Sequence, residues 1–218
     1  MTGRPAFLGG VYLVTDTAVC GALGVVETVR AAVAGGVRLV QIRDKTASDT
    51  DFYDLVMRTA AAVDDQAMLL VNDRVDAFLA ARSAGAAVHG VHIGQGDMSP
   101  LQVRRIVGAD AVIGLTANTA AHIADAHRLP ESTVDYFGVG VIRPSTTKPD
   151  HPRPLGVDGF RSLAGLTSLP CVAIGGITLA DMPILRGAGA AGAAVVSAIC
   201  GAPDPRANAE ALIAAWDQ

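Results

Sequence analysis

The sequence predicts an α/β fold, a single closed (β/α)8 barrel running through residues 1–218. Three observations carry that expectation. Eight short apolar runs recur along the chain, and each is followed by an amphipathic stretch or by room for a helix. Apolar strands alternating with helices imply a parallel sheet covered on its faces. No GxGxxG fingerprint follows the first run, as an open dinucleotide-binding sheet would carry. The 218 residues sit near the low end for a closed barrel, and no compositional break marks a second domain.

The elements follow in order. Val11–Asp16 reads as the first strand. Val25, Val26, Val29, Ala32 and Val33 then recur at helical spacing until Gly35-Gly36 stops the helix. Leu39–Ile42 is the second strand. Ser48 with Asp51 forms a capping-box pattern ahead of an apolar helix face of Phe52, Leu55, Val56 and Val63. Further strands are expected at Met68–Val71, Gly90–Ile93, Val112–Leu115, Tyr136–Val139, Cys171–Ile174 and Ala193–Val196. Ser99-Pro100 suits an N-cap and first helical position. Thr178 with Asp181 is a second capping pattern, and Leu212, Ile213 and Trp216 mark a final amphipathic helix.

Composition narrows the function classes. Half the residues are hydrophobic and only 4% are aromatic, so the core must be built from Ala, Val, Leu and Ile. The formal charge is -4 and no long basic run appears, which argues against nucleic-acid and anionic-membrane partners. Cys20, Cys171 and Cys200 show neither metal-ligand spacing nor a disulfide framework, so a reduced cytoplasmic setting is expected. Met1–Gly10 has no signal-peptide pattern. Gly189–Cys200 is apolar but short and glycine-interrupted for a bilayer span.

In a parallel barrel, chemistry belongs at the C-terminal strand ends. The second strand leads into Gln41-Ile42-Arg43-Asp44-Lys45, and alternation puts Gln41, Arg43 and Lys45 on one face. Two cations and an amide suit a diphosphate, although a solvated strand exit with ordinary ion pairs has the same pattern. Asn72-Asp73 follows the third strand and Gln95-Gly96-Asp97 the fourth. The two carboxylates can share one Mg²⁺, or Asp73 can cap the next helix while Asp97 serves a turn with Gly96. His89 and His92 fall on opposite faces and are poor joint metal ligands, which leaves His92 as a lumen residue without an assigned role.

Thr116 offers a hydroxyl after the fifth strand, where Asn118 or Thr119 can cap the next helix. The sixth strand opens into Arg143-Pro144-Ser145-Thr146-Thr147-Lys148-Pro149, a hydroxyl-rich segment ending in Lys and reading as a long site loop. Gly175-Gly176 follows the seventh strand and Val196-Ser197 the eighth, a placement at which barrels commonly bind phosphate through backbone N–H groups, although glycine used only for tight turning has the same pattern. Two anion sites result. One is cationic and metal-assisted across strands two to six, and the other is neutral and backbone-built at strands seven and eight.

Together the runs YLVTD, QIRDK, LLVND, GVHIGQGD, GLTANT, STTK, AIGGI and VVSAI, in that order along nearly the whole chain, resemble the thiamine phosphate synthase family, a TIM-barrel family. The resemblance implies that Gln41, Arg43, Lys45, Asn72, Thr116 and Lys148 contact a pyrimidine diphosphate. It implies that Asp73 and Asp97 bind Mg²⁺. Ser145 and Thr147 would face a thiazole phosphate whose phosphate is held at Gly176, Val196 and Ser197. Arg43, Lys45 and Lys148 would carry catalysis by stabilising the leaving group.

The implied reaction joins 4-amino-2-methyl-5-hydroxymethylpyrimidine diphosphate to 4-methyl-5-(2-phosphoethyl)thiazole, or to its carboxylated form with loss of CO₂. Thiamine phosphate and pyrophosphate are the products. The sequence departs from the family pattern at Ser145, commonly Thr, and at Arg143, commonly apolar or aromatic. A thiazole tautomerase relative would need no diphosphate site, and a non-catalytic regulator would need no full ligand set. The implied partners are small molecules, with the oligomeric state, including a homo-oligomer, left open.

Overall fold

The computed structural model describes residue 7, residues 9–145 and residues 153–218. Eight parallel strands close into one barrel in sequence order: β1 (Gly10–Val14), β2 (Leu39–Ile42), β3 (Met68–Asn72), β4 (Gly90–Ile93), β5 (Val112–Thr116), β6 (Tyr136–Gly140), β7 (Cys171–Ile174) and β8 (Gly192–Val195). The expected fold and all eight strand positions are found, with edges shifted by a residue or two. The first strand stops at Val14 because Asp16 turns into an N-cap, its carboxylate accepting from the Val19 N–H at 3.2 Å.

The helices form the outer layer. A short α1 (Thr17–Cys20) and a 3-10 turn precede α2 (Gly24–Ala34), and α3 (Asp49–Val63) follows β2. The circuit continues with α4 (Val75–Ser83), α5 (Pro100–Val107), α6 (Ala120–His127), α7 (Gly156–Ala164) and α8 (Met182–Gly187), and ends with α9 (Ser197–Cys200) and α10 (Pro205–Trp216). Ser48, Ser99 and Thr119 cap α3, α5 and α6 by accepting a backbone N–H. The Thr178 and Asp181 pair closes as expected, Asp181 accepting from the Thr178 N–H at 2.9 Å and from its hydroxyl at 2.8 Å. The Thr17–Ala34 segment is long and apolar enough to cross a membrane by composition. Here it is broken by the 3-10 turn, and Val25, Val29, Ala32 and Val33 pack into the barrel wall.

Strand alternation divides the interior into two cores. Val11, Leu13, Val40, Ile42, Leu69 and Val71 point outward and pack with Phe52, Phe78 and Phe160 from the helices. Tyr12, Val14, Leu39, Met68, Leu70, Val112, Tyr136, Val172 and Ala194 fill the lumen, so the barrel interior is a packed core and not a pore. Cys20, Cys171 and Cys200 are free thiols, all buried.

Strand packing leaves no room for a side chain at Gly90. A Cβ there would lie 2.0 Å from the Val112 carbonyl oxygen on the paired strand. Gly90→Ala is expected to lower stability by about 2 kcal/mol, the scale of core overpacking. Chemical denaturation of the two proteins measures it, and an unchanged midpoint would refute the packing account.

Candidate active site

Strand register brings the polar strand ends together. Val14 pairs with Gln41, Asn72 with His92, His92 with Gly114, and Thr116 with Gly138. The polar residues at the C-terminal ends of neighbouring strands therefore share one rim. Gln41 is 4% exposed and points into the lumen, where its amide nitrogen donates to the Tyr12 hydroxyl at 2.7 Å. The Arg43 backbone is pinned to the neighbouring strand end by Thr15, whose hydroxyl accepts from the Arg43 N–H at 2.9 Å and donates to its carbonyl at 3.2 Å. Its guanidinium pairs with Asp16 at 2.9 Å, both groups about one-fifth exposed.

Lys45 pairs with Asp73. Asp73 does not cap α4: the N-cap position is Arg74, and Asp73 stands outside the helix with a left-handed φ of 58°. Its carboxylate accepts from the Asn72 amide at 2.8 Å. Burial raises the Asp73 carboxyl above its ordinary pKa; the Lys45 ammonium opposes that, and the nearby Asp97 carboxylate reinforces it. Two acids of β3 and β4 thus lie close enough to sense each other, as a shared cation requires. Asp97 also serves its turn, accepting from the Gly94 N–H at 2.7 Å. Oxygen donors of this kind suit Mg²⁺, which takes one or two carboxylates and completes its shell with water and phosphate oxygens.

A buried chain of side chains runs below this rim. The Tyr12 and Tyr136 hydroxyls are 2.9 Å apart, Tyr136 meets His92 Nδ1 at 2.8 Å, and His92 Nε2 meets the Thr116 hydroxyl at 3.1 Å. Burial raises both phenols well above their ordinary pKa, so both keep their protons. Tyr12, Gln41, His92, Thr116 and Tyr136 line a cavity of about 50 Å³. A larger cavity of about 410 Å³ opens at the other end of the barrel, among Gly9, Gly36, Arg38 and Trp216. It is lined by the starts of β1 and β2 and by α10, away from the strand C-termini.

The second expected anion site falls on a backbone turn. Gly175 and Gly176 take φ of 99° and 62°, conformations that side chains disfavour. A Cβ on Gly176 would lie 2.7 Å from the Pro144 carbonyl oxygen, so the segment after β6 rests directly on this turn. Arg143 reinforces that contact by pairing with the buried Asp181 at 2.5 Å. The departure at Arg143 therefore joins two loops of the mouth. Ser145 is half-buried just beyond it, while Thr147 and Lys148 lie outside the described residues. Val196 and exposed Ser197 form the β8 exit and the start of α9.

Sequence reasoning missed Asp16, Tyr12 and Tyr136. Asp16 had a signal, since it ends the first strand run opposite Arg43. The tyrosines had none, because each reads as an apolar strand position until the lumen brings their hydroxyls together. Asp44 lies inside the same motif yet holds its own loop. Burial raises its carboxyl, but hydrogen bonds from Thr17, Thr46 and Ala47 outweigh that and lower the pKa to about 2. A depressed carboxyl stabilises the fold above the unfolded value and loses that contribution as pH falls through the folded value. The melting-temperature gap between wild type and Asp44→Ala is therefore expected to shrink from about pH 4 to about pH 2. A gap constant across that range would refute the assignment.

Comparison with known proteins agrees with this architecture. The sequence model of the family described as thiamine monophosphate synthase matches residues 11–199. A thiamine-phosphate synthase of Psychrobacter sp. (strain PRwf-1) is 45% identical over 203 residues, covering 93% of each chain. One from Corynebacterium efficiens is 43% identical over 194 residues, covering 89% of each. Among solved structures, a thiamine phosphate pyrophosphorylase from Pyrococcus furiosus superposes with a TM-score of 0.82 at 28% identity, covering 95% of both chains. The chain belongs to the thiamine monophosphate synthase family.

Proposed function

We propose that the protein is a transferase of thiamine biosynthesis, a thiamine phosphate synthase. It joins the pyrimidine diphosphate to the thiazole phosphate, or to the carboxylated thiazole with loss of CO₂, and releases pyrophosphate. The carrying observation is Asp73, a carboxylate held at the mouth beside Lys45 and near Asp97 and not spent on capping a helix. A tautomerase or a ligand-binding regulator has no use for that cation-and-carboxylate rim.

Asp73 and Asp97 would hold Mg²⁺, which when bound supplies charge to the departing diphosphate. Arg43 and Lys45 orient the same diphosphate, and Lys148 is assigned to it by family resemblance. Asn72 and Gln41 hold the pyrimidine side together with Thr116. Ser145 faces the thiazole, Thr147 is assigned to it by family resemblance, and backbone at Gly176, Val196 and Ser197 takes its phosphate. The reaction is a dissociative substitution. The C–O bond to diphosphate breaks first, the aminopyrimidine delocalises positive charge at its methylene, and the thiazole nitrogen then attacks that carbon. No protein nucleophile takes part. Three buried free thiols are consistent with a cytoplasmic setting.

Purified protein with both substrates and Mg²⁺ is expected to form thiamine phosphate, detected after oxidation to a fluorescent thiochrome. Chelation with EDTA should abolish the product and Mg²⁺ should restore it. Binding of both substrates without product would overturn the synthase reading. Asp73→Asn is expected to reduce turnover by about 100-fold or more, the scale for removing a group that stabilises developing charge. Its melting temperature should not fall, since no cap is lost. A folded variant with near-normal turnover would remove Asp73 from the metal site.

A further inference from the structure

The chain Gln41–Tyr12–Tyr136–His92–Thr116 has a direction that follows from donor arithmetic. Gln41 donates an amide N–H to the Tyr12 oxygen. A phenol has one proton to give, and the remaining partner of the Tyr12 hydroxyl is Tyr136. Tyr12 therefore donates to Tyr136, and Tyr136 must spend its own proton on His92 Nδ1. That nitrogen accepts, so in the neutral ring the proton sits on Nε2 and is donated to the Thr116 oxygen. With its oxygen occupied as acceptor, Thr116 has its own proton left to offer elsewhere. At the other end, the Gln41 nitrogen is tied down and the amide oxygen is left to accept.

Two glycines mark how closely the barrel is built around this chain. A Cβ on Gly114 would lie 2.2 Å from Tyr136 Cζ and 2.4 Å from His92 Nδ1, and one on Gly138 would lie 2.9 Å from His92 Cε1. Strands β5 and β6 give up side chains where the relay passes. Phe7 stacks on Tyr136 from below, ring centroids 4.3 Å apart. Gln41 and Thr116, the two ends, lie on β2 and β5, separated by two strands, and the relay is what joins them.

We propose that Tyr12 and Tyr136 are positioning residues that hold His92 as its Nε2–H tautomer, present the Thr116 hydroxyl as a donor and the Gln41 amide oxygen as an acceptor, and so fix the polarity with which the pyrimidine edge is read. This deepens the synthase reading and rests on it for the ligand. An aminopyrimidine edge carries an amino donor beside a ring-nitrogen acceptor, the complement of what the two ends present. Neither tyrosine needs to touch the substrate.

Long-range proton–nitrogen NMR correlation on protein labelled with ¹⁵N-histidine reads the tautomer directly, with the His92 signal identified by its loss in His92→Asn. The wild type without substrate is expected to show His92 protonated on Nε2 alone. Tyr136→Phe keeps the ring stacked on Phe7 and removes the donor to Nδ1. It should give a mixed tautomer and raise KM for the pyrimidine diphosphate about 3- to 10-fold, the scale of one lost hydrogen bond, with KM for the thiazole phosphate unchanged. Tyr12→Phe should leave the tautomer in place, because Tyr136 still donates to His92, yet raise the same KM by freeing Gln41. A purely structural role would lower both melting temperatures without this split. An Nδ1–H tautomer in the wild type would overturn the proposal, as would a Tyr136→Phe protein with unchanged tautomer. The tautomer is read without substrate, so a failure of the synthase reading would appear separately, as the absence of product from the wild type.

Discussion

Closure of the sheet between β8 and β1 is the constraint on which the rest of the molecule depends. Gly10 through Leu13 pair with Gly192 through Val195, and the seam is tight: a Cβ on Gly9 would lie 2.2 Å from the Ala191 carbonyl oxygen, and one on Gly192 2.7 Å from that of Gly10. Once the ring is closed and every strand is parallel, all eight C-terminal ends must share one mouth. Residues far apart in sequence then meet without long loops to bring them there. The lumen side chains fill the barrel beneath that mouth.

The electrostatics of that mouth are arranged before any ligand arrives. Arg43 is held by Asp16 and Lys45 by Asp73, so each cation of the β2 exit already has a carboxylate partner. Pairing costs the site some net positive charge but holds the cations in position, and preorganised charge is what favours a transition state over a flexible ground state. At the opposite side of the rim, the Gly175-Gly176 turn offers backbone without side-chain charge. Arg143 rests against that turn through its backbone, its N–H donating to the Gly175 carbonyl at 3.0 Å, and its guanidinium is paired with Asp181, which braces the segment after β6.

Much of this was legible in the sequence because it depends on local pattern. Strand runs, the Thr178–Asp181 box and the Ser99-Pro100 start are each set by a few adjacent residues. Alternation put Gln41, Arg43 and Lys45 on one face, and the structure shows that Gln41 on that face points into the lumen. What a single sequence could not decide was the use of each polar group. Asp73 had equal claim to capping and to the site until its backbone stood outside α4. Asp44 shares a motif with Arg43 and Lys45, yet turns its carboxylate into its own loop. Tyr12 and Tyr136 are 124 positions apart, and no local pattern says that their hydroxyls meet.

The β1–β8 seam also bears on how the molecule comes into being. Neighbouring strands of the barrel join across short sequence separations, but the last pairing joins Gly10 to Gly192. A pairing over such a span adds loop-closure entropy and contact order, both of which slow folding. A nascent chain can stack β/α units as they emerge from the ribosome, while its first strand keeps an unpaired edge until the eighth arrives. The surface left open until the ring closes is therefore the edge of β1, and the strand ends of the mouth come into their final register only once β8 has paired with it.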